Sequence, residues 1–298
     1  MENLSDKELL EVIRQRLEAK DRAYEELRDL TGKLEDLNTK LVESERVKSS
    51  FLSNIRNEIN NPLTSVLAIS ELIISGDDEP DYATVRSIIG LIHKEAFNLN
   101  FQLRNIFAAA ELEAGEAVPG FSGVDVESIL NDVAATFAHR ASERKVAVRV
   151  MPGELSGGVF RTDAEMLHRA VSNLLSNAIE YSPEGGAVVI DVAREEGCLS
   201  ISVADQGPGI ERSKHSSIFS RFKQLDSGST KRHCGHGLGL SIVKATADLL
   251  GGSIEVESDI GEGARFVLRV PEADADMSAG AISMDGAEFF IPAEAERF

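Results

Sequence analysis

The 298-residue chain has no tryptophan, only 5% aromatic residues and two cysteines, Cys198 and Cys234. So few rings leave any interior to be filled by aliphatic side chains. Two cysteines with neither metal-ligand spacing nor a dense disulfide framework agree with a reducing compartment. No run of about 18 apolar residues occurs, so no direct membrane span is expected, and the start "MENLSDKELLEVIRQ" reads as a polar helix rather than a signal peptide. A cytoplasmic location is the expectation. Positive charge is also in short supply: 31 Lys and Arg against 50 Asp and Glu give a net charge of -19, with no compact basic stripe. Nucleic acid and anionic lipid are therefore excluded as expected partners. The length admits two domains, and 42% hydrophobic content is ordinary for a globular chain.

Glycine and proline are nearly absent from Ser5 to about Val47, where apolar residues fall at Leu10, Ile13, Leu17, Tyr24, Leu27, Leu30, Leu34, Leu37 and Leu41. Steps of three and four that sum to seven predict a coiled-coil seam. Ser5 and Glu8 fit a capping box that starts the helix, and the heptad frame shifts between Leu27 and Leu30, which locally alters the supercoil. The helix is expected to continue to about Ile74, with Pro62 tolerated as a kink. "SGDDEPD" (Ser75 to Asp81) breaks it, and a second amphipathic helix follows from about Tyr82 to Leu112, with Ile88, Leu91, Ile92, Leu99, Leu103 and Ile106 on its apolar stripe. Two such helices cannot cover their own apolar faces. Pairing with a second copy into a four-helix bundle solves that problem.

Periodicity stops at "EAGEAVPGFSGVD". Beyond it the pattern predicts a helix near Val126 to Ser142, a strand at Lys145 to Met151, and a helix from Asp163 to Tyr181 with Thr162 and Glu165 as its capping box. Strands at Ala187 to Ala193 and Leu199 to Ala204, a glycine-rich stretch, a helix from about Leu238 to Leu250 and strands at Ser253 to Ser258 and Ala264 to Val270 complete an α/β sandwich. The acidic end, "EADADMSAGAISMDGAEFFIPAEAERF", reads as a mobile tail.

The stretch "FLSNIRNEINNPLTSV" (Phe51 to Val66) resembles the phosphoacceptor box of a sensor histidine kinase: Phe51, Leu52, Glu58, Pro62 and Leu63 stand in register, and Asn57 occupies the place of the reactive histidine. An imidazole offers a ring-nitrogen lone pair to the γ-phosphate of ATP. The amide nitrogen of Asn has its lone pair delocalised into the carbonyl and is a very poor nucleophile. Three further motifs come in order: "NLLSNAIEYS" from Asn173, "DQGPGI" from Asp205 and "GHGLGL" from Gly235, with "IFSRF" (Ile218 to Phe222) between the last two. Together they resemble the ATP-binding domain shared by histidine kinases, DNA gyrase, mismatch-repair ATPases and heat-shock chaperones, and the helical first half selects the kinase branch.

Asn173 and Asn177, four residues apart, lie on one helical face and can present hard oxygens to a cation. The resemblance assigns them to Mg²⁺ on the triphosphate, and Asp205 to the adenine amino group, with Gly207 and Gly209 beside the base. It also implies nucleotide contacts at Tyr181, Gly235, Gly237, Leu238 and Gly239, the last glycines opening a helix whose N-terminus suits phosphate. The cofactors implied are ATP and Mg²⁺. Where the kinases often carry Lys after the second Asn, this chain has Glu180, which repels phosphate unless a cation intervenes; Lys231 and Arg232 in the lid are candidates. His93 reads as a packing or surface residue rather than a substitute phosphoacceptor, His236 as a solvent or lid contact, and Cys234 as an ordinary thiol.

The fold expected is α followed by α/β: a coiled-coil signalling helix (1–47), a dimerisation and phosphoacceptor-like hairpin forming a dimeric four-helix bundle (48–115), an α/β-sandwich ATP-binding domain (120–272) and an acidic flexible tail (273–298). Three functions fit. One is an ATP-responsive pseudokinase that controls a partner kinase or a response-regulator receiver domain, as a homodimer or a heterodimer with another histidine kinase. Another is a response-regulator phosphatase, since Glu58 and Asn61 match the Glu-x-x-Asn spacing that kinases of this kind use to orient water. The third is a kinase that phosphorylates a histidine on a partner protomer.

Overall fold

Nine heptad-spaced apolar positions in a stretch nearly free of glycine and proline yield one helix, α1 (Asp6–Ile74), and Pro62 lies inside it without ending it. The computed structural model describes residues 6–74, 81–151, 153, 159–195, 197–220, 237–274 and 290–291, which divide into two units, Met1–Arg56 and Asn57–Phe298. In the first unit Leu17, Tyr24, Leu27, Leu30, Leu34, Leu37 and Leu41 are all more than half exposed. The capping residue Ser5 and the side chains of Leu10 and Ile13 lie outside the described residues.

In the second unit, α2 (Tyr82–Ala114) starts on Asp81, whose side chain accepts from the Thr84 N–H, and ends at Gly115 in the left-handed conformation. The Glu116 N–H returns to the Glu111 carbonyl, a C-terminal motif that only a residue tolerant of positive φ closes without strain. The residues 75–80 of the expected acidic break lie outside the described residues. Ile59, Val66 and Ile69 on α1 and Ile88, Ile92, Leu99, Leu103 and Ile106 on α2 are half-buried, while Leu63, Leu67, Ile89 and Phe107 stay exposed. Among the described residues no helix is long and apolar enough to cross a membrane.

After the linker, β1 (Ser122–Val124) leads into α3 (Val126–Glu143), capped by Asp125, then β2 (Ala147–Met151), β3 (Phe160–Thr162) and α4 (Ala164–Tyr181). The chain continues through β4 (Ala187–Glu195), β5 (Cys198–Ala204), two short 3-10 turns, α5 (Gly239–Leu249), β6 (Ser253–Ser258) and β7 (Ala264–Pro271). Five strands form one sheet in the order β2-β4-β5-β7-β6, in which only β2 and β4 are parallel. Val188, Ile190 and Val192 of β4 are buried on one face, in register with strand neighbours such as Val203 and Ile201, and pack with Leu167, Leu174 and Ile179 of α4 and Ile129, Val133 and Phe137 of α3. The core is aliphatic with few rings, as the composition requires.

Several local expectations change. The strand expected from Lys145, β2, begins at Ala147 because Arg144 and Lys145 form a turn, with Lys145 at φ 55. The cap of α4 is Asp163, not Thr162: its carboxylate accepts from the Met166 N–H at 2.8 Å, while Thr162 lies buried in β3 and Glu165 pairs with Arg169. A second small sheet, β3-β1-β8, was not anticipated, because strands of two or three residues carry no readable alternation. Its third member, β8 (Phe290–Ile291), falls within the stretch expected to be a mobile tail and pairs antiparallel with β1.

Candidate functional site

The ends of β5 and β7 bring Asp205 next to Ala264, and there the Asp205 N–H donates to the Ala264 carbonyl at 2.8 Å. The Asp205 carboxylate in turn accepts from the Gly207 N–H at 2.8 Å and the Ala264 N–H at 3.2 Å. Burial pushes this carboxyl above its usual range, against the pull of those two backbone donors. The turn that follows requires glycine at one position above all. Gly209 has φ +73, and a Cβ there would collide with the Asp259 carbonyl. Ser258 locks the same corner, accepting from the Ile210 N–H at 2.8 Å and donating to the Gly263 carbonyl at 2.6 Å.

Asp205 borders a cavity of about 780 Å³, the size of a small-ligand site. Ile210, Ile260, Ala264 and Phe266 give its apolar lining near the carboxylate, and Asn177, Glu180 and Tyr181 of α4 line it as well. Gly237, Leu238, Gly239 and Leu240 border it at the start of α5. Among the described residues no side chain caps that helix start. Its first N–H groups are therefore available to an anion.

Asn173 behaves differently from Asn177. It is only 2% exposed, and its carboxamide forms a reciprocal pair with Asn105 of α2, 2.9 Å and 3.0 Å, while also donating to the Arg169 carbonyl. A cation reaching Asn173 has to share an oxygen that already accepts from Asn105, whereas half-buried Asn177 borders the cavity. The two oxygens expected to act together are thus unequally accessible. Gly239 lies close against Asn173: a Cβ at 239 would stand 2.9 Å from the Asn173 Oδ1.

Glu180 is not an isolated carboxylate. Its Oε2 lies 2.9 Å from Nη2 of Arg140 on α3 and 3.1 Å from Nη1 of Arg144, the residue that caps the C-terminus of α3. Arg140 Nη1 also donates to Ser176 Oγ at 3.0 Å, and Arg144 to the Glu180 carbonyl. On the α2 side, Phe97 and Phe101 stand edge-on to Phe137, His93 stands edge-on to His139, and Lys94 pairs with Glu143 at 3.0 Å. His93 is exposed at the cavity rim.

Of the other anticipated positions, Gly235, His236, Cys234, Lys231, Arg232 and residues 221–222 of the "IFSRF" stretch lie outside the described residues. Asn57, Glu58 and Asn61 fall in the helical backbone of α1. Asn61 is exposed, and the side chains of Asn57 and Glu58 lie outside the described residues. Asn105, Arg140, Arg144 and the Gly263–Ala264 backbone went unnoticed in the sequence. Asn105 had a signal, being one polar residue in the stripe Phe97, Phe101, Asn105, Ala108, and Gly263 had one in "GEG" between two strands. The arginines had none. Among the described residues no group of three or more His, Cys, Asp or Glu is arranged to hold a metal.

Residues 162–274 match the family described as histidine kinase-, DNA gyrase B- and HSP90-like ATPase. The chain is 31% identical over 252 residues to the hybrid signal transduction histidine kinase D of Dictyostelium discoideum, covering 83% of this chain and 16% of that protein. It is likewise 31% identical over 228 residues to the sensor-like histidine kinase SenX3 of Mycolicibacterium smegmatis, covering 76% of this chain and 58% of that one. The chain thus spans less than two thirds of these relatives. Among solved structures, full-length ShkA in complex with AMPPNP superposes with a TM-score of 0.55 at 25% identity, covering 78% of this chain and 46% of that one. With a helical first half and an α/β ATPase domain, the chain belongs to the sensor histidine kinase family.

Proposed function

We propose that this chain binds ATP·Mg²⁺, takes no phosphate at residue 57, and regulates a partner kinase or a response-regulator receiver domain. The observation that carries the nucleotide part is one cavity bordered both by the half-buried, backbone-held Asp205 carboxylate and by the start of α5, which no side chain caps among the described residues. The AMPPNP complex of ShkA supports the same reading. In it Asp205 accepts from the adenine amino group, Ile210, Ile260 and Phe266 cover the base, Gly207 and Gly209 let the backbone pass close, and Tyr181 flanks the nucleotide. The start of α5 at Gly239, with Gly237 and Leu238 leading into it, takes the phosphates, with Gly235 beyond the described part of the same motif. Asn177 is the accessible oxygen for Mg²⁺, and Asn173 joins it by sharing the lone pairs that now serve Asn105. Bound Mg²⁺ neutralises part of the triphosphate charge.

We assign residues 1–47 to a coiled-coil signalling helix, 48–115 to a dimerisation hairpin, 120–272 to the ATP-binding domain and 273–298 to an acidic tail. The exposed leucine seam of α1 and the exposed Leu63, Leu67 and Ile89 support dimerisation, with a second copy or with another histidine kinase. Incubation with γ-labelled ATP tests the central claim. The natural protein stays unlabelled, and Asn57→His, which sets an imidazole beside Glu58, acquires acid-labile phosphate. Robust acid-labile label on the natural sequence refutes this reading.

A phosphatase reading has one observation in its favour, the exposure of Asn61 on α1. An exposed carboxamide one turn from Asn57 and three residues from Glu58 can orient water toward an aspartyl phosphate on a docked receiver. Faster loss of phosphate from a phosphorylated receiver, diminished in Asn61→Ala, is the expected result. Decay at the receiver's own rate removes it.

A further inference from the structure

Glu180 sits on the same α4 face as Asn177, one turn on, and both border the cavity in which a triphosphate has to run. A lone carboxylate there opposes polyphosphate binding. The geometry supplies its counterweight from a different helix. Arg140 in the last turn of α3 and Arg144 at its C-cap share the single oxygen Glu180 Oε2, and both border the same cavity. Two guanidinium groups and one carboxylate leave a net charge of +1, the charge that a single lysine at position 180 brings in the kinases this chain resembles.

We propose, on the basis of the nucleotide reading above, that Arg140 and Arg144 are the phosphate-binding cations of this site, and that Glu180 is their positioning residue rather than a defect. Each guanidinium spends only part of its five N–H donors on Glu180, Ser176 and the α4 carbonyls. The remaining donors have no acceptor among the described residues. A planar fork held at one edge by a carboxylate and open at the other is suited to phosphate oxygens. Their side chains are 22% and 35% exposed, enough to meet a ligand and too little to swing freely as surface residues do. Ser176 Oγ and Glu180 Oε2 fix Arg140 along the α4 helix beside Asn177.

The alternative is that the three charges only clamp α3 to α4. Ligand charge separates the two roles. Titration of ATP, ADP and adenosine into the full chain by calorimetry, with Mg²⁺ present, is compared for four proteins whose cluster carries different net charge: Glu180→Gln (+2), the parent (+1), the triple variant Arg140→Gln, Arg144→Gln, Glu180→Gln (0), and Arg140→Gln with Arg144→Gln (-1). The triple variant removes all three charges together, and unchanged adenosine affinity certifies its fold.

The ratio of ATP to adenosine affinity is expected to fall from the parent through the triple variant to the double-arginine variant, by about tenfold or more between the first two, with ADP between the two ligands, while Glu180→Gln, which adds charge but releases the arginines, does not exceed the parent. Glu180→Lys in the double-arginine background restores +1 and recovers ATP binding. An ATP-to-adenosine ratio that is the same in the parent and the triple variant overturns the arginine assignment while leaving the adenine site intact. Failure of the parent to bind any of the three ligands overturns the nucleotide reading, and this assignment with it.

Discussion

On the Asp205 wall of the cavity the polar groups are backbone or are held by backbone: two N–H groups fix the carboxylate, and glycines at 207, 209 and 263 allow chain segments to pass in contact. On the α4 wall the same job falls to side chains contributed by neighbouring elements, Asn105 from α2, Arg140 from α3 and Arg144 from the C-cap of α3. A backbone wall is rigid and tolerates almost no change of residue. A side-chain wall is adjustable, and its chemistry can be moved from one helix to another at constant net charge. Effects of substitution should therefore be steep and independent of ligand charge on the first wall, moderate and dependent on ligand charge on the second.

The steepest test is Gly209→Ala. At φ +73 the new Cβ is strained by conformation and meets the Asp259 carbonyl, whose own side chain is fixed by a two-pronged pair with Arg212 at 2.9 Å and 2.7 Å. A loss on the order of 3 kcal/mol in stability is expected, read as an earlier denaturant midpoint, together with loss of adenosine binding. A variant as stable as the parent means that the backbone wall yields, and the contrast between the walls fails. Next is Asp205→Ala. It removes an acceptor and leaves the Gly207 and Ala264 N–H groups unserved, at about 1 to 3 kcal/mol, and it should weaken adenosine, ADP and ATP by the same factor. A loss confined to ATP would place Asp205 on the phosphate side instead.

This contrast also explains what was legible in the sequence. Helix and strand periodicity placed five helices and the five-stranded sheet to within a few residues, because each follows from local apolar spacing. On the Asp205 wall, Asp205, Gly207 and Gly209 were legible because glycines at forced positions leave a trace in the sequence itself, whereas Gly263 and Ala264 went unnoticed. On the α4 wall, Asn173, Asn177, Glu180 and Tyr181 were legible but the arginines were not, since nothing near Arg140 or Arg144 says that they will lie beside position 180. Glu180 read alone looked like a repulsive substitution; read with its two partners it is one third of a cationic cluster. The Thr162 capping box failed for a related reason: Thr162 is consumed by β3, and the cap passes to Asp163, which also takes the Gly120 N–H at 2.6 Å.

Asn105→Ala probes the second wall with a smaller expected effect. Its removal strips the buried Asn173 carboxamide of both reciprocal bonds and leaves the Arg169 carbonyl as its remaining partner. The stability cost should be about 1 kcal/mol. Adenosine affinity should not change, while the Mg²⁺-dependent part of ATP affinity should rise, because the Asn173 oxygen is released. If adenosine and ATP shift together, Asn105 acts on the whole cavity and the two walls are not separable.

The smallest effect belongs to protonation of Asp205. Burial raises its pKa in the fold, so the ionised carboxylate is less favourable there than in the unfolded chain. The penalty is fully present above the folded pKa and is relieved as pH falls through it, the reverse of the usual behaviour of a paired carboxylate. Asp205→Asn keeps an oxygen for the Gly207 and Ala264 N–H groups and sheds the charge. The empty variant should therefore be slightly more stable than the parent at neutral pH, and the difference should close on acidification toward the usual carboxylate range. Denaturant titrations at stepped pH measure this directly. A difference that grows on acidification would mean that the two backbone donors outweigh burial, and that the carboxylate is held in its charged form before any ligand arrives.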